Sequence, residues 1–231
     1  MSQYGDIIYP SDDGNPYPEK LCRHLVDRFV SDSPAQELAL LDIGCSHGTL
    51  LHAFLKARPF KCYGTDLRNE NVAGIDFRKC NIEKEKLPFD TDFFDVIFTK
   101  SVIEHVYNTD NFLGEVMRVL RPGGLFICMT PDWKSQMHTF YNDYTHVKPF
   151  TRKGMQDAML INGFEDVRCE YFYQLPFVWK YPFLRVIPRV IALVVPDFLK
   201  WKDGEERNTR DRKIIRFSKE LMLLAIGRKK K

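Results

Sequence analysis

The sequence contains no C-x-x-C pair, and none of its six cysteines (Cys22, Cys45, Cys62, Cys80, Cys128, Cys169) has a histidine at metal-ligand spacing. That excludes the common structural zinc sites and leaves six reduced thiols. No charged-then-apolar leader opens the chain, so the expected setting is cytoplasmic. No apolar run reaches the ~20 residues of a membrane-spanning helix without interruption by charge or proline. Internal repeats are missing, and the terminal "RKKK" is the only low-complexity segment. The dinucleotide fingerprint G-x-G-x-x-G does not occur either.

What is present suffices for one large domain: 231 residues with 44% hydrophobic content can fill a substantial core. The net charge of +3 is unevenly spread. From Gln174 onward there are fifteen Lys/Arg against six Asp/Glu, a local +9, so residues 1–173 carry −6. An acidic body bears a basic end.

Periodicity gives the organisation. "PEKLCRHLVDRFV" places Leu21, Leu25 and Phe29 on one helical face, with proline in the first turn, predicting a helix over about 18–31. "ELALLDI" reads as a strand buried on both faces, and "TLLHAFLKA" as a helix. "KCYGTD" (61–66), "IDFRKCN" (75–81, an edge) and "FDVIFTK" (94–100, central) are further strands. "TDNFLGEVMRVL" is a helix capped by Thr109 or Asp110, "RPGG" ends it, and "LFICMTP" is the next strand. A helix at about 151–162, the strand "FEDVRCEYF" and a final strand from "RFSKELMLLAIGRK" complete the alternation. The expected fold is α/β: a doubly wound, mostly parallel seven-stranded sheet with an antiparallel last strand and a helical insert before it. The single domain divides into a lead (1–34), a cofactor-binding core (35–173), an apolar and basic insert (174–215), and the last strand with a basic tail (216–231).

Ligands of such sheets sit beyond the carboxyl ends of the strands, where strand order reverses. At one such end stands "LALLDIGCSHGTLL". A glycine turn between strand and helix lets a ligand reach the backbone and the helix N-terminus. Asp66 ends the second strand about twenty residues later, where a carboxylate can accept hydrogen bonds from both hydroxyls of a ribose.

These segments resemble class I S-adenosylmethionine-dependent methyltransferases, in particular the ubiquinone-biosynthesis and sugar O-methyltransferase type. Asp42, Gly44 and Gly48 match the family's D-x-G-x-G-x-G motif, with Ser46 in place of the middle glycine. Asn81 and Ile82 stand where the family faces the adenine amino group and ring. "FDVIFTKSVIEHV" and "EVMRVLRPGGLFICMTP" resemble its fourth-strand motif and its turn into the fifth strand, so the likeness covers about 38–131. It implies S-adenosyl-L-methionine as cofactor, held by Asp42, Gly44, Cys45, His47, Gly48, Asp66, Leu67, Asn81, Ile82 and Lys100.

Methyl transfer needs an acceptor aligned with the methyl–sulfur bond, and a hydroxyl acceptor also needs a base near neutral pKa. Histidine suits that role. His47 belongs to the cofactor loop, which leaves His105 in "IEHV" and His146 in "YNDYTHVKPFT". The latter segment resembles the D-x-T-H-x-(R/K)-P-F-T stretch of sugar methyltransferases, implying His146 as the base and Tyr141, Asp143 and Tyr144 as an acceptor-facing wall. Lys148 and Thr151 could equally make this segment a loop anchor. Glu104 with His105 offers one pair of metal-type ligands, too few to assign a metal, and none is assigned.

The insert "QLPFVWKYPFLRVIPRVIALVVPDFLKWKDGEERNTRDRK" is the clearest departure from the family. Aromatic and aliphatic residues interleaved with Lys180, Arg185 and Arg189 fit a segment resting at lipid headgroups through 176–202, and equally an acceptor lid or a homodimer contact. Nucleic acid is not expected as a partner: the body is acidic and "TKSV" lacks the N/D-P-P-Y tetrapeptide that holds a flipped base. The expected activity is methylation of a hydroxyl on a sugar, glycolipid intermediate or related metabolite. The alternatives are a nicotinamide-dependent oxidoreductase on a related sheet and a non-catalytic, membrane-associated binding module.

Overall fold

The computed structural model describes residues 15–31, 37–68, 72–200 and 212–231. The lead before residue 15, and the part of the insert from Trp201 to Asp211, lie outside the described residues. In chain order the elements are α1 (Tyr17–Phe29), β1 (Leu38–Ile43), α2 (Thr49–Ala57), β2 (Phe60–Asp66), β3 (Asp76–Lys79) and β4 (Phe94–Lys100). After a 3-10 turn at Ile103–His105 come α3 (Thr109–Val119), β5 (Leu120–Pro131), the short α4 (Trp133–Gln136), α5 (Arg152–Ile161) and β6 (Glu165–Phe172). The insert contributes α6 (Pro176–Lys180), a 3-10 turn at Pro182–Arg185, α7 (Val186–Val194), a 3-10 turn at Asp197–Lys200 and α8 (Lys213–Lys219), before β7 (Met222–Arg228).

All seven strands form one sheet in the order β3-β2-β1-β4-β5-β7-β6. β1 pairs in parallel with both β2 and β4, while β7 runs antiparallel to both β5 and β6. The expected doubly wound sheet with an antiparallel last strand is therefore present. Strand order reverses between β1 and β4, which places the carboxyl ends of β1, β2, β4 and β5 around one crevice.

Alternation along the central strands builds two cores. Leu40, Phe98 and Ile127 face α1 and α2, meeting Leu21, Leu25 and Phe54. Leu41, Ile97 and Phe126 face the other way, toward Phe112 and Val116 of α3 and Met155 and Met159 of α5. Both faces of β1, β4 and β5 are covered, which is why they read as continuous apolar runs.

Local differences from the sequence reading have simple causes. The cap of α3 is Asn108, whose side-chain oxygen accepts from the Asn111 N–H, one residue before the expected Thr109 or Asp110. "RPGG" is absorbed into β5, where the Gly123 N–H donates to the Lys229 carbonyl. The last strand starts later than expected: "RFSK" belongs to α8, which crosses the boundary drawn at 215/216. Lys219 at its end donates to the Ala192 and Val195 carbonyls, tying α8 to α7.

Candidate active site

At the end of β1 the Gly44 and Cys45 N–H groups both donate to the Thr65 carbonyl, at 2.8 and 3.1 Å, folding the loop over β2. Gly44 has φ +77°, and a Cβ there would lie 2.3 Å from Val102 Cγ2. Gly48, the N-cap of α2, has φ +76°, and its Cβ would meet Val72 Cγ1 at 2.3 Å. Both positions thus require glycine for conformation and for space. Ser46 adopts φ +47°, so the family's middle glycine is replaced without changing the backbone it favours. Cys45 is buried and packs on Gly64, whereas His47 is exposed at the loop surface.

Asp66 accepts the Ser46 N–H through Oδ2 at 3.0 Å and the Arg68 N–H through Oδ1 at 3.2 Å, while Arg68 Nη2 donates to Ser46 Oγ. This carboxylate shapes the loop, and its remaining lone pairs stay available for ribose hydroxyls. Leu67 beside it is exposed. Asn81 Oδ1 accepts from the Glu83 N–H at 3.1 Å, so the amide oxygen expected at the adenine edge already serves a local turn. Ile82 packs, partly buried, against the core.

Three carboxylates line the other strand ends. Asp42 is 2% exposed, its Oδ2 has no hydrogen-bond partner, and burial together with the nearby Asp66 charge pushes its pKa well up while Lys100 opposes. Glu104 is fully buried: Oε2 accepts from Thr130 Oγ1 at 2.9 Å, Oε1 has no partner, and burial pushes the group up to about 7. Asp132, just after β5, is also buried, with Oδ2 capping α4 and Oδ1 unpartnered. Lys100, half-buried at the end of β4, is held below the usual lysine range by burial, against the pull of Glu104 and Asp42. Orphaned buried carboxylate oxygens are costly unless a ligand completes them. A cationic ligand with donor groups fits this crevice, and a sulfonium carrying an amino group has that character.

The side expected to face the acceptor is assembled by two backbone hydrogen bonds. The Glu104 carbonyl accepts from both Val147 and Lys148 N–H, at 2.9 and 3.0 Å, which draws the loop after β5 onto the 3-10 turn. His105 and His146 then lie with ring centroids 4.7 Å apart. His146 Nδ1 is 2.6 Å from the Phe140 carbonyl. A carbonyl only accepts, so Nδ1 carries the proton in the neutral ring and Nε2 holds the basic lone pair. His105 Nδ1 faces the Thr145 carbonyl and hydroxyl, and burial, then His146, lower its pKa.

Ligand atoms of Glu104, His105 and His146 lie within 4.8 Å of one another, a set that could hold a metal ion. The sequence reading saw only the adjacent Glu104 and His105, because His146 lies far along the chain. Tyr141 stacks edge-on against Trp133 and Phe140, while Tyr144 projects into solvent and Asp143 accepts from the Thr145 N–H and hydroxyl. Trp133 and Asp132 were missed. Their only sequence signal is position, immediately after the strand "LFICMTP".

A profile described as a methyltransferase domain matches residues 17–168. The ubiquinone biosynthesis O-methyltransferase of Bradyrhizobium sp. (strain ORS 278) is 34% identical over 127 residues, covering 49% of this chain and 49% of that protein. Its counterpart in Rhodopseudomonas palustris (strain HaA2) is 30% identical over 127 residues, again covering 49% of each. The chain thus spans about half the length of the curated relatives it matches. A SAM-dependent methyltransferase from Archaeoglobus fulgidus superposes with TM-score 0.61 at 17% identity, covering 99% of both chains. A putative methyltransferase from Haloferax volcanii, solved with the Trm112 activator, gives 0.64 at 18% identity, covering 90% of this chain and 89% of that one.

Proposed function

From the premise that this chain belongs to the methyltransferase domain family, we propose that it catalyses S-adenosylmethionine-dependent methylation of a hydroxyl group on a small molecule. The family match removes the reason for the oxidoreductase alternative. The observation that carries the mechanism is the tautomer of His146: with Nδ1–H held by the Phe140 carbonyl, Nε2 is directed to accept a proton.

The cofactor, when bound, supplies an electrophilic methyl group on a sulfonium. Asp66 would take the ribose hydroxyls, Ile82 would lie against the adenine, and the open Oδ2 of Asp42 would meet the cationic end. Gly44 and Gly48 keep side chains out of that space. On the acceptor side, His146 removes the hydroxyl proton as the carbon–oxygen bond forms. Burial, and then His146, lower the basicity of His105, which makes it a weaker acceptor for that proton than an ordinary imidazole. Trp133 and Tyr141 offer aromatic faces that suit a ring-bearing acceptor.

The relatives named ubiquinone biosynthesis O-methyltransferase support oxygen over nitrogen as the acceptor atom, and a ubiquinone-type acceptor as the first reading. A hydroxyl of a sugar or glycolipid intermediate is the second reading, supported by the segment around His146. Contact with a membrane surface, and homodimer formation, would rest on the insert rather than on the residues of the crevice.

Labelled-methyl transfer to a panel of catechols, other phenols and sugar derivatives tests the assignment. His146→Gln should lower kcat by about 10²–10⁴-fold with affinity for S-adenosylhomocysteine unchanged. A wild-type rate in this variant overturns the base assignment. If a chelator abolishes transfer by the wild type, Glu104, His105 and His146 act as metal ligands instead. Asp66→Ala should weaken S-adenosylhomocysteine binding by about tenfold or more, and unaltered affinity would contradict the ribose role. Tight cofactor binding without turnover on any acceptor would favour the non-catalytic module.

A further inference from the structure

The insert carries an apolar surface that the described residues leave exposed. On α7, Val186, Arg189, Val190 and Leu193 follow one another at i, i+3, i+4 and i+7 and all point outward, with Leu193 85% exposed. Phe183 and Phe198, each 74% exposed, extend the patch at either end of this helix. The opposite face, with Pro188 and the half-buried Ile191, Ala192 and Val195, lies toward the protein. A helix apolar on both faces is normally buried on both, and a continuous exposed patch of this kind marks a contact site.

We propose that this face docks reversibly onto an anionic lipid bilayer. Charge decides between occupants. From Tyr171 to Pro196 the chain has no Asp or Glu, while Lys180, Arg185 and Arg189 are all exposed and border the apolar residues. A symmetric contact between two copies would set these cations against one another. A layer of anionic headgroups over hydrocarbon instead complements both the cations and the apolar side chains between them. Among the described residues no helix is long and apolar enough to cross a membrane, so the contact is a surface one.

Polar contacts link this face through α8 to α4, next to the loop that carries His146. Asp197 pairs with Lys219, whose ammonium also holds the Ala192 and Val195 carbonyls at the end of α7. Just beyond α8, the Leu221 N–H donates to Ser135 Oγ and its carbonyl accepts from Gln136 Nε2, both on α4. A bilayer gripping α7 would therefore hold the loop bearing Tyr141 and His146 near the lipid surface. The docking itself does not depend on the methyl-transfer reading.

Co-sedimentation of the full chain with phosphatidylcholine vesicles, with and without phosphatidylglycerol, tests this. Binding should require phosphatidylglycerol and weaken with salt. Arg185→Gln and Arg189→Gln should each reduce it about fivefold, and Phe183→Ser with Leu193→Ser by about tenfold or more. These side chains are solvent-exposed, and S-adenosylhomocysteine affinity, measured in parallel, should stay at the wild-type value. Absence of vesicle binding with cofactor affinity intact overturns the docking and leaves the methyltransferase reading standing. Binding unchanged in the serine variant, or a dimer in sedimentation velocity that Leu193→Ser dissociates, also overturns it.

Discussion

Glu104 offers the sharpest quantitative test. Its carboxyl is fully buried, one oxygen takes the Thr130 hydroxyl, the other has no partner, and burial pushes it from 4.5 to about 7. In the unfolded chain the group titrates near 4.5. Between these values the folded state keeps a proton that the unfolded state releases, so stability falls as pH rises through this window and levels off above it. At 1.36 kcal/mol per pH unit, the full cost above neutrality is about 3 kcal/mol. Glu104→Gln keeps an acceptor for Thr130 and cannot ionise. Denaturant unfolding of both proteins, with a chelator present so that no ion masks the cluster, should show nearly equal stability at about pH 4, with the glutamine variant more stable by about 3 kcal/mol at about pH 8. A difference that does not change with pH, or a wild type that is the more stable at high pH, would refute the reasoning.

Two further outcomes follow from burial and backbone geometry. Gly44→Ala forces a Cβ to within 2.3 Å of Val102 Cγ2 at φ +77°, so it should lower the Tm and weaken S-adenosylhomocysteine binding by about tenfold or more, read by thermal shift and calorimetry. The cysteines are all buried; burial raises the Cys80 thiol to about 11 and Cys62 and Cys169 to about 12. Iodoacetamide near neutral pH should therefore leave the native protein almost unlabelled and modify all six after denaturation, by intact mass.

The sheet was legible because its central strands are buried on both faces, so Leu38–Ile43 and Phe94–Lys100 appear as apolar runs closed by polar residues. The glycine loop was legible for a related reason: Gly44 and Gly48 are fixed by sterics that no other residue satisfies. The acceptor side was less so. His146 meets Glu104 and His105 only because Val147 and Lys148 bond back to the Glu104 carbonyl, a long-range backbone contact with no side-chain signature. The family resemblance puts Asn81 at the adenine edge, and what the sequence did not show is that its side-chain oxygen also accepts from the Glu83 N–H. The start of β7 was misplaced because no proline or glycine separates the charged "RFSKE" from the apolar "LMLLAI" that follows it. The charged part is helical, and Lys219 at the helix end holds the carbonyls closing α7.

The electrostatics of the crevice suggest why such a site would favour turnover. Burial, and then the neighbouring Asp66 charge, raise the cost of ionising Asp42, and Lys100 offsets this only in part. A cation entering between the strand ends would lower the cost of ionising Asp42 and complete its orphaned oxygen, so the proposed site would bind a positively charged cofactor with help from a carboxyl that is destabilised without it. Transfer of the methyl group removes that positive charge. Asp42 would then face a neutral thioether and lose the compensating interaction. On the proposed reading, the buried Asp42 of β1 would discriminate between cofactor before and after reaction by charge, while the glycine loop and Asp66 would meet the parts common to both and set the shared affinity.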